Sequence, residues 1–277
     1  MSSVGIVGSG RAGVALGLAL SRAGHAVSLH GRRQHELSLP FSYTWGDAPP
    51  WLAAVEVILL AVPDDAVASV AQRLAATGEI GAGHTVLHLS GVLGDEALVP
   101  LADSGAALGS LHPFQTLASP ADAAERLRGA VAGVSGGKEA VITAAELARS
   151  IGLTPVPIAA DKKALYHAAA VFASNYLVTL EGVAEGLLEK AGLSATEARE
   201  ALGPLMRVSL ENALGVGPER ALTGPIVRAD VDTIQRHLES LPAEAAELYR
   251  ELARAALRLA DLSAKQRAAI ESALEQS

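Results

Sequence analysis

The sequence predicts an α/β fold, a doubly wound and mostly parallel sheet, followed by a smaller all-α domain. Short apolar runs alternate with helical patterns through the first half of the 277 residues, which is the order of parallel strands joined by crossover helices. Beyond Asp161 the strand-like runs stop, and long segments rich in Ala, Leu and Glu follow. We therefore expect a sheet domain over residues 1–159 and a helical domain over residues 160–277.

The first predicted strand, residues 3–7, runs into a glycine-rich turn and then into a helix. Gly8 suits the tight turn, Gly10 leaves backbone N–H groups open to a pyrophosphate, and Gly13 allows the helix to pack closely on the strand. This order of residues is the fingerprint of a dinucleotide-binding Rossmann unit. The predicted cofactor-binding residues at this turn are Gly8, Ser9, Gly10, Arg11, Ala12 and Gly13.

The end of the second predicted strand, residues 26–30, indicates which dinucleotide is bound. An NAD-binding unit needs a carboxylate there for the ribose 2′-hydroxyl, but this chain has Arg32 and Arg33. A guanidinium group pairs with a phosphate through two parallel hydrogen bonds. The two arginines therefore predict NADP as the cofactor, and the alternative is that both are solvated loop residues.

The other elements of the first domain follow from the same alternation. Strand-like runs fall at residues 41–45, 55–62, 85–90, 107–111, 130–135 and 154–158. Helical patterns fall at residues 65–76, 120–127 and 138–151. The prolines of the last run limit it to an edge strand, because proline cannot donate a ladder hydrogen bond.

Ligands of open α/β sheets lie outside the carboxyl ends of the strands. Val62 and Pro63 follow the fourth strand and are expected to border the cofactor. Ser90 follows the fifth strand and either holds a substrate carboxylate or forms a plain turn. At the end of the sixth strand, Gln115 is expected to bind substrate, and His112 either exchanges a proton with the substrate or bonds nearby backbone.

The Ser90-Gly91 turn and the Leu111-His112-Pro113 segment resemble the corresponding loop and His-Pro segment of prephenate dehydrogenases. The resemblance implies that Ser90 and His112 contact the substrate.

The first helix after residue 159 places Lys163 and His167 on one face. Lys163 is expected to polarise a carbonyl oxygen and His167 to share its proton, unless they are a solvated lysine and a core histidine. The spacing resembles the Lys-x-x-x-Asn pattern of β-hydroxyacid dehydrogenases and 6-phosphogluconate dehydrogenase, with His167 in place of the Asn. This resemblance implies catalytic roles for both residues, and Asn175 is a substrate-binding candidate further along the segment.

Residues 221–233 are too polar and too rich in turn residues for a plain helix. Asp230 or Asp232 is expected to cap the next helix. Thr223 and Arg228 are candidates to face the substrate, and the alternative for each is a place in a surface loop. Nearly the whole chain resembles the family that joins a Rossmann-like NADP oxidoreductase domain to a helical C-terminal domain of unknown function. The segments that carry this resemblance are residues 111–117, 166–180 and 221–233.

These residues together lead us to expect an NADPH-dependent reductase of a small oxo acid, of the ketopantoate type, or of a related carbonyl. Ser90 and Gln115 hold the substrate, Lys163 polarises its oxygen, and His112 or His167 supplies the proton. One alternative is reduction of a cyclic imine, as in pyrroline-5-carboxylate reductases. The other is a non-catalytic NADP-binding sensor or interaction protein, because a fold does not determine a function.

Composition limits the partners and the compartment. The net charge is −8 and no basic run is present, so we expect no nucleic acid partner. The absence of cysteine excludes thiolate chemistry and Cys-based metal sites, and the scattered histidines predict no metal. Residues 164–180 carry polar side chains and predict a buried helix, not a membrane span.

We expect a cytoplasmic homodimer that pairs through apolar faces of the helical domain, such as the face formed by Leu248, Leu252, Ala255, Ala256 and Leu259.

Overall fold

The computed structural model describes residues 1–36, 38–117 and 119–275, and eight strands form its sheet. The strands are β1 (Ser3–Val7), β2 (Ala26–Gly31), β3 (Ser42–Trp45), β4 (Val57–Leu60), β5 (Thr85–His88), β6 (Ala107–Pro113), β7 (Val131–Gly136) and β8 (Thr154–Pro157). Their order in the sheet is β3-β2-β1-β4-β5-β6-β7-β8. All neighbours are parallel except β6 and β7, which are antiparallel. The predicted mostly parallel sheet is confirmed, and β8 is an edge strand as its prolines require.

The central strands are buried because helices cover both faces of the sheet, whereas the edge strands β3 and β8 are largely not. The helices of this part are α1 (Arg11–Arg22), α2 (Asp64–Ala76), α3 (Pro120–Arg126), α4 (Lys138–Ser150) and α5 (Lys163–Ala173). Side chains alternate along β4, so that Val57 and Leu59 pack with α1 and α4 while Ile58 and Leu60 pack with α2. A 3-10 helix, Asp95–Ser104, completes the second face. Near-continuous apolar strands are expected of a sheet that is covered on both sides.

The helical part of the chain contains α6 (Asn175–Lys190), α7 (Ala195–Val216), α8 (Pro218–Ala221), α9 (Val231–Ser240), α10 (Ala243–Leu257) and α11 (Ala264–Glu275). A capping box formed by Ser194 and Glu197 starts α7. Asp230 caps α9 by accepting the backbone N–H of Thr233, as the sequence predicts. The core of this part lies among α9, α10 and α11, and Ile234 and Ile270 are fully buried in it.

The chain divides into two compact units, the first running from Met1 to Asn175 and the second beginning at Tyr176. The expected boundary at residue 159 falls just after β8. The first unit extends further by α5, which carries three of the side chains described below.

The predicted buried helix over residues 164–180 is wrong in two respects. The helix is interrupted at Ser174, whose φ of −126° and ψ of −69° are not helical, so α5 and α6 are separate. Of the residues of α5 only Lys163 is buried, and α6 buries none. Leu165 and Phe172 are each more than 70% exposed. α5 contacts the sheet through side chains of its first turns, and its apolar remainder is not buried.

Among the described residues, no helix combines the length and the apolar character needed to cross a membrane.

Candidate functional site

The turn between β1 and α1 forms an open cradle of backbone N–H groups, which we call the glycine cradle (residues 8–13). Gly8 has a φ of +120°, and a Cβ atom at this position would lie 2.2 Å from the carbonyl oxygen of Ala61. A Cβ atom on Gly13 would lie 1.9 Å from the carbonyl oxygen of Gly8. By contrast, nothing lies within 4 Å of a Cβ atom built on Gly10. Both tight contacts and the open position are therefore where the fingerprint requires them.

The cradle is suited to an anion. The first helical hydrogen bond runs from the N–H of Val14 to the carbonyl of Gly10, so the N–H groups of the residues between them have no helical partner. The positive end of the helix dipole adds to their attraction for a phosphate. The residues present thus fit the pyrophosphate of a dinucleotide.

Arg32 and Arg33 lie beside the cradle because β2 ends next to it. A Cβ atom on Gly31 would lie 2.5 Å from Oγ of Ser9, which shows how closely the two turns approach. The hydroxyl of Tyr43 donates to the carbonyl of Arg33 at 2.5 Å and fixes the backbone there. Both arginines are exposed, and neither forms an ion pair with another described residue.

The end of β4 forms the other side of the cradle. The N–H of Ala61 donates to the carbonyl of Val7, and Cγ1 of Val62 would lie 3.2 Å from a Cβ atom on Gly8. Pro63 then precedes the first residue of α2. Val62 therefore lies next to the cradle and Pro63 follows it, and their contact with a cofactor stays a prediction.

A second group of side chains surrounds Gly91, and we call it the histidine cluster (Gly91, His112, Tyr166 and His167). The ring centres of His112 and His167 are 5.7 Å apart, and those of His112 and Tyr166 are 5.5 Å apart. A Cβ atom on Gly91 would lie 2.5 Å from Cδ2 of His167 and 2.8 Å from Nε2 of His112. The structure thus brings the two predicted proton donors together, and only glycine leaves space between their rings.

His112 is neutral at pH 7 in this setting. Burial above all, with the nearby His167 and Lys163, lowers the pKa of its imidazole to about 4. Its Nδ1 atom is 3.2 Å from the hydroxyl oxygen of Tyr166. A neutral imidazole can still donate or accept a hydrogen bond, depending on which nitrogen carries the proton.

Lys163 lies beneath this cluster and is only 3% exposed. Its ammonium group donates to the carbonyl of Ser90 at 3.2 Å, to Oγ of Ser110 at 2.5 Å and to Oγ of Ser135 at 3.4 Å. The expectation was a lysine that touches a substrate oxygen, but the three donors of this ammonium are used by the protein. Lys163 therefore positions the Ser90 turn from below.

The Ser90 turn is built from buried polar groups. Oγ of Ser90 accepts the N–H groups of Val92 and Leu93 at 3.2 and 3.0 Å. The N–H of Ser90 donates to Nδ1 of His88, whose Nε2 lies 3.2 Å from the carbonyl of Gly94. Burial, and to a lesser extent Lys163, lowers the pKa of His88 to about 4. The Ser90 hydroxyl thus has a role within the turn, and its contact with a substrate stays a prediction.

Gln115, another predicted substrate-binding residue, forms hydrogen bonds within its own part of the chain. Oε1 of Gln115 accepts the N–H of Thr116, and its Nε2 donates to the carbonyl of Arg126. Asn175 is the first residue of α6. Thr223 and Arg228 belong to the second compact unit, where both are exposed and Arg228 approaches Asp230 at 3.9 Å.

Sequence reasoning missed two members of the cluster, Gly91 and Tyr166. Gly91 was part of a resemblance, but its role as a spacer depends on His112 and His167, which lie far away in sequence. Tyr166 is next to His167, and its proximity to His112 depends on how α5 meets β6. The described residues contain no group of three or more His, Asp or Glu side chains placed to hold a metal ion.

Comparisons with protein families agree with this architecture. Residues 1–113 match the model of the Rossmann-like domain, and residues 130–256 match the model described as Domain of unknown function (DUF2520). The chain joins a Rossmann-like domain to a DUF2520 domain. The resemblance stated from the sequence is thereby confirmed. The DUF2520 match begins just before β7, so it includes the last two strands of the sheet as well as helices. A comparison with curated protein sequences found no match.

Solved structures share the fold along nearly the whole chain. A Bacteroides fragilis protein provisionally named an NADP oxidoreductase is 20% identical, with a TM-score of 0.74 over 93% of this chain and 98% of that chain. A Thermotoga maritima protein is 24% identical, with a TM-score of 0.72 over the same shares. A Plasmodium falciparum pyrroline carboxylate reductase with NADP bound is 15% identical, with a TM-score of 0.62 over 99% of this chain and 96% of that chain. The combination of a Rossmann-like domain and a helical domain is therefore common to all four proteins.

Proposed function

We propose that this chain is an NADPH-dependent oxidoreductase that reduces a small carbonyl compound. The observation that carries the proposal is the glycine cradle, whose free N–H groups lie beside Arg32 and Arg33. The cradle would hold the pyrophosphate, and the arginines would pair with a 2′-phosphate. When bound, the nicotinamide group supplies the hydride. The resemblance to structures named for NADP supports the same cofactor.

The substrate site in this proposal is the histidine cluster. It lies at the carboxyl ends of β5 and β6, where ligands of open α/β sheets bind. His112 and His167 are the groups that would exchange a proton with the substrate, and Lys163 holds the Ser90 turn against them. A small oxo acid of the ketopantoate type fits this combination of neutral imidazole and nearby positive charge.

Reduction of a cyclic imine is the second candidate. The observation in its favour is the fold shared with a pyrroline carboxylate reductase that was solved with NADP. Initial rates of NADPH oxidation with a panel of oxo acids and cyclic imines separate the two candidates. Turnover of the best substrate is expected to fall in both His112→Ala and Lys163→Ala. If both variants kept full turnover, the assigned site would be wrong.

Titration calorimetry tests the cofactor directly. We expect NADPH to bind more tightly than NADH, and the preference to be lost in an Arg32→Ala, Arg33→Ala variant. One bidentate phosphate contact in this setting corresponds to a preference of at least about tenfold, or ~1.4 kcal/mol. Arg22→Ala is the matched control, because Arg22 is an exposed arginine in the last turn of α1. Equal affinities for the two nucleotides in the unmodified chain would contradict the proposal.

We also propose that the protein is a homodimer, formed through its helices. The observation that supports it is the apolar surface of α5, α6 and α7, where Leu165, Val178 and Leu214 are each more than 65% exposed. Of the residues that the sequence suggested for the interface, Leu252 is exposed, and Leu248, Ala255, Ala256 and Leu259 are half-buried. We further propose a cytoplasmic location, since a cysteine-free chain requires no oxidising compartment.

A further inference from the structure

His112 is held by the protein at only one of its two ring nitrogens. Its Nδ1 lies 3.2 Å from the hydroxyl oxygen of Tyr166. Its Nε2 points toward Gly91 and has no hydrogen-bond partner among the described residues. His112 is half-buried, so Nε2 is the atom that a ligand in the histidine cluster would meet. Whether this nitrogen donates or accepts a hydrogen bond decides which ligands it recognises.

The contacts of Tyr166 determine where the imidazole proton lies. The hydroxyl oxygen of Tyr166 accepts the N–H of Gly133 at 3.2 Å. Its single proton has two acceptors in reach, Nδ1 of His112 at 3.2 Å and the carbonyl oxygen of His112 at 3.4 Å. The ring nitrogen is nearer, and the carbonyl belongs to the β6–β7 ladder, where His112 is in register with Gly133. Nδ1 of His112 is therefore the nearer of the two acceptors for the hydroxyl proton.

We infer that Tyr166 fixes His112 in the tautomer with its proton on Nε2, so that the histidine cluster presents a hydrogen-bond donor to the ligand. Tyr166 is then a positioning residue that acts through His112. The ligand class is one with an oxygen acceptor, such as the carbonyl or carboxylate of an oxo acid. This part of the inference rests on the proposed function, whereas the position of the proton does not.

The charges around the cluster favour the same ligand class. The ammonium group of Lys163 lies beneath the Ser90 turn. No carboxylate among the described residues forms a hydrogen bond or an ion pair with Lys163, His112 or Tyr166. The carboxylates of Asp64, Asp95 and Glu96 act on Lys163 only at longer range and offset its charge in part. A protonated imine carries both a positive charge and an N–H donor, and it would meet a donor and a cation here. An uncharged carbonyl or an anionic oxo acid is complementary to both.

Long-range ¹H–¹⁵N NMR of the labelled chain without cofactor measures the tautomer directly. We expect the His112 signals, assigned by their loss in His112→Gln, to show the Nε2–H form at pH 7.5. In Tyr166→Phe they are expected to shift toward a mixture of both tautomers. A signal of the Nδ1–H form in the unmodified chain, or no change in Tyr166→Phe, would overturn the inference.

The chain offers a matched control for this experiment. Nδ1 of His237 lies 3.1 Å from the hydroxyl oxygen of Tyr249 in the second unit, so it forms a second tyrosine–histidine pair. Tyr249→Phe is expected to change the signals of His237 and to leave those of His112 unchanged. If Tyr249→Phe altered His112 as much as Tyr166→Phe does, the effect on His112 would be a general loss of structure, and the assigned role of Tyr166 would be refuted.

Ligand class is tested with two small probes, oxamate and pyrrolidinium, titrated into the NADP-free and the NADP-containing sample. Oxamate offers oxygen acceptors, and pyrrolidinium is a cyclic cation with N–H donors. We expect oxamate to shift the Nε2 signal of His112, and its affinity to fall about twofold in Tyr166→Phe, because only the fraction of His112 in the Nε2–H form then binds. A shift caused by pyrrolidinium and not by oxamate would overturn the ligand class. Failure of NADPH to bind would refute the proposed function and leave the tautomer measurement intact.

Discussion

Lys163 and His112 show how burial changes the properties of single side chains. Lys163 is an ammonium group enclosed by two serine hydroxyls and one backbone carbonyl. Burial lowers its pKa to about 8, although the carboxylates of Asp95, Glu96 and Asp64 raise it in part. A buried charge with neutral hydrogen-bond partners is costly to keep, so its retention indicates that the Ser90 turn depends on it.

The stability contribution of Lys163 is expected to depend on pH in the alkaline range. Its folded-state pKa of about 8 lies below the ordinary value of 10.5. Between these values the unfolded chain binds a proton that the folded chain has released, so this group makes the free energy of unfolding rise with pH. Relative to Lys163→Met, the unmodified chain is expected to gain up to ~3 kcal/mol between pH 8 and 10.5, measured by urea unfolding. Lys162→Met, at an exposed lysine paired with Asp161, is the control; a difference that stayed flat or fell with pH would contradict the prediction.

His112 is expected to weaken the fold in mild acid. Its pKa is lowered to about 4 from 6.5. Between these two pH values the unfolded chain binds a proton at this histidine and the folded chain does not. The stabilising contribution is complete above pH 6.5 and is lost as the pH falls toward 4, by up to ~3 kcal/mol. Urea unfolding at pH 7.5 and pH 5 is expected to show a smaller loss in His112→Asn than in the unmodified chain. The exposed His35→Asn serves as control, and equal losses in all three proteins would refute this account.

At the scale of the elements, substitutions at different glycines of the cradle are expected to affect stability and cofactor binding separately. Gly10 has extended backbone and open space at its Cβ position, whereas a Cβ atom on Gly13 meets a carbonyl oxygen. Gly10→Ala is expected to leave urea unfolding within ~0.5 kcal/mol of the unmodified chain and to weaken NADPH binding at least about tenfold. Gly13→Ala is expected to destabilise the chain by ~1–3 kcal/mol through overpacking. A large loss of stability in Gly10→Ala would show that the fold itself requires glycine at this position, and would contradict a role for the open space in binding a ligand.

The elements also show what a sequence can predict. The cradle was predictable because all of its residues lie within one strand–turn–helix unit, and β8 was predictable as an edge strand because its prolines remove donors. The lysine–serine contacts were not, because Ser110 and Ser135 meet Lys163 only after β6 and β7 pair antiparallel. Local sequence patterns contain no information on how β6 and β7 pair with each other. Hence the geometry of the glycine turn was predicted from the sequence, while Lys163 was expected to have a different partner.

For the whole molecule, the exposed apolar helices predict self-association. Leu205 and Leu214 lie on different sides of α7 and are 65% and 79% exposed, and a helix that is apolar on more than one side requires burial. Light scattering is expected to give about twice the chain mass of 28.2 kDa. Leu205→Glu with Leu214→Glu is expected to shift the mass toward the monomer, whereas Val99→Glu, at an apolar residue exposed in the first unit, is not. A monomeric mass of the unmodified chain at micromolar concentration would refute the homodimer.

The sequence also could not show whether the apolar residues 164–180 are buried within the chain. Apolar composition indicates that a surface avoids water, but it does not say whether the covering surface belongs to the same chain. In this protein the core of the helical part comes from α9, α10 and α11, although α5 and α6 are the more apolar by sequence. The fold class was therefore predicted correctly while the distribution of its helices between core and surface was not.

The contacts of Lys163 determine when the Ser90 turn can form during synthesis and folding. Its partners lie 28, 53 and 73 residues earlier in the sequence, so the lysine leaves the ribosome after all eight strands have been synthesised. Because contacts between distant residues form slowly, the Ser90 turn is completed late in folding, on a sheet that already exists. A nascent chain that stops at residue 159 would hold every strand and lack the cation that completes the turn.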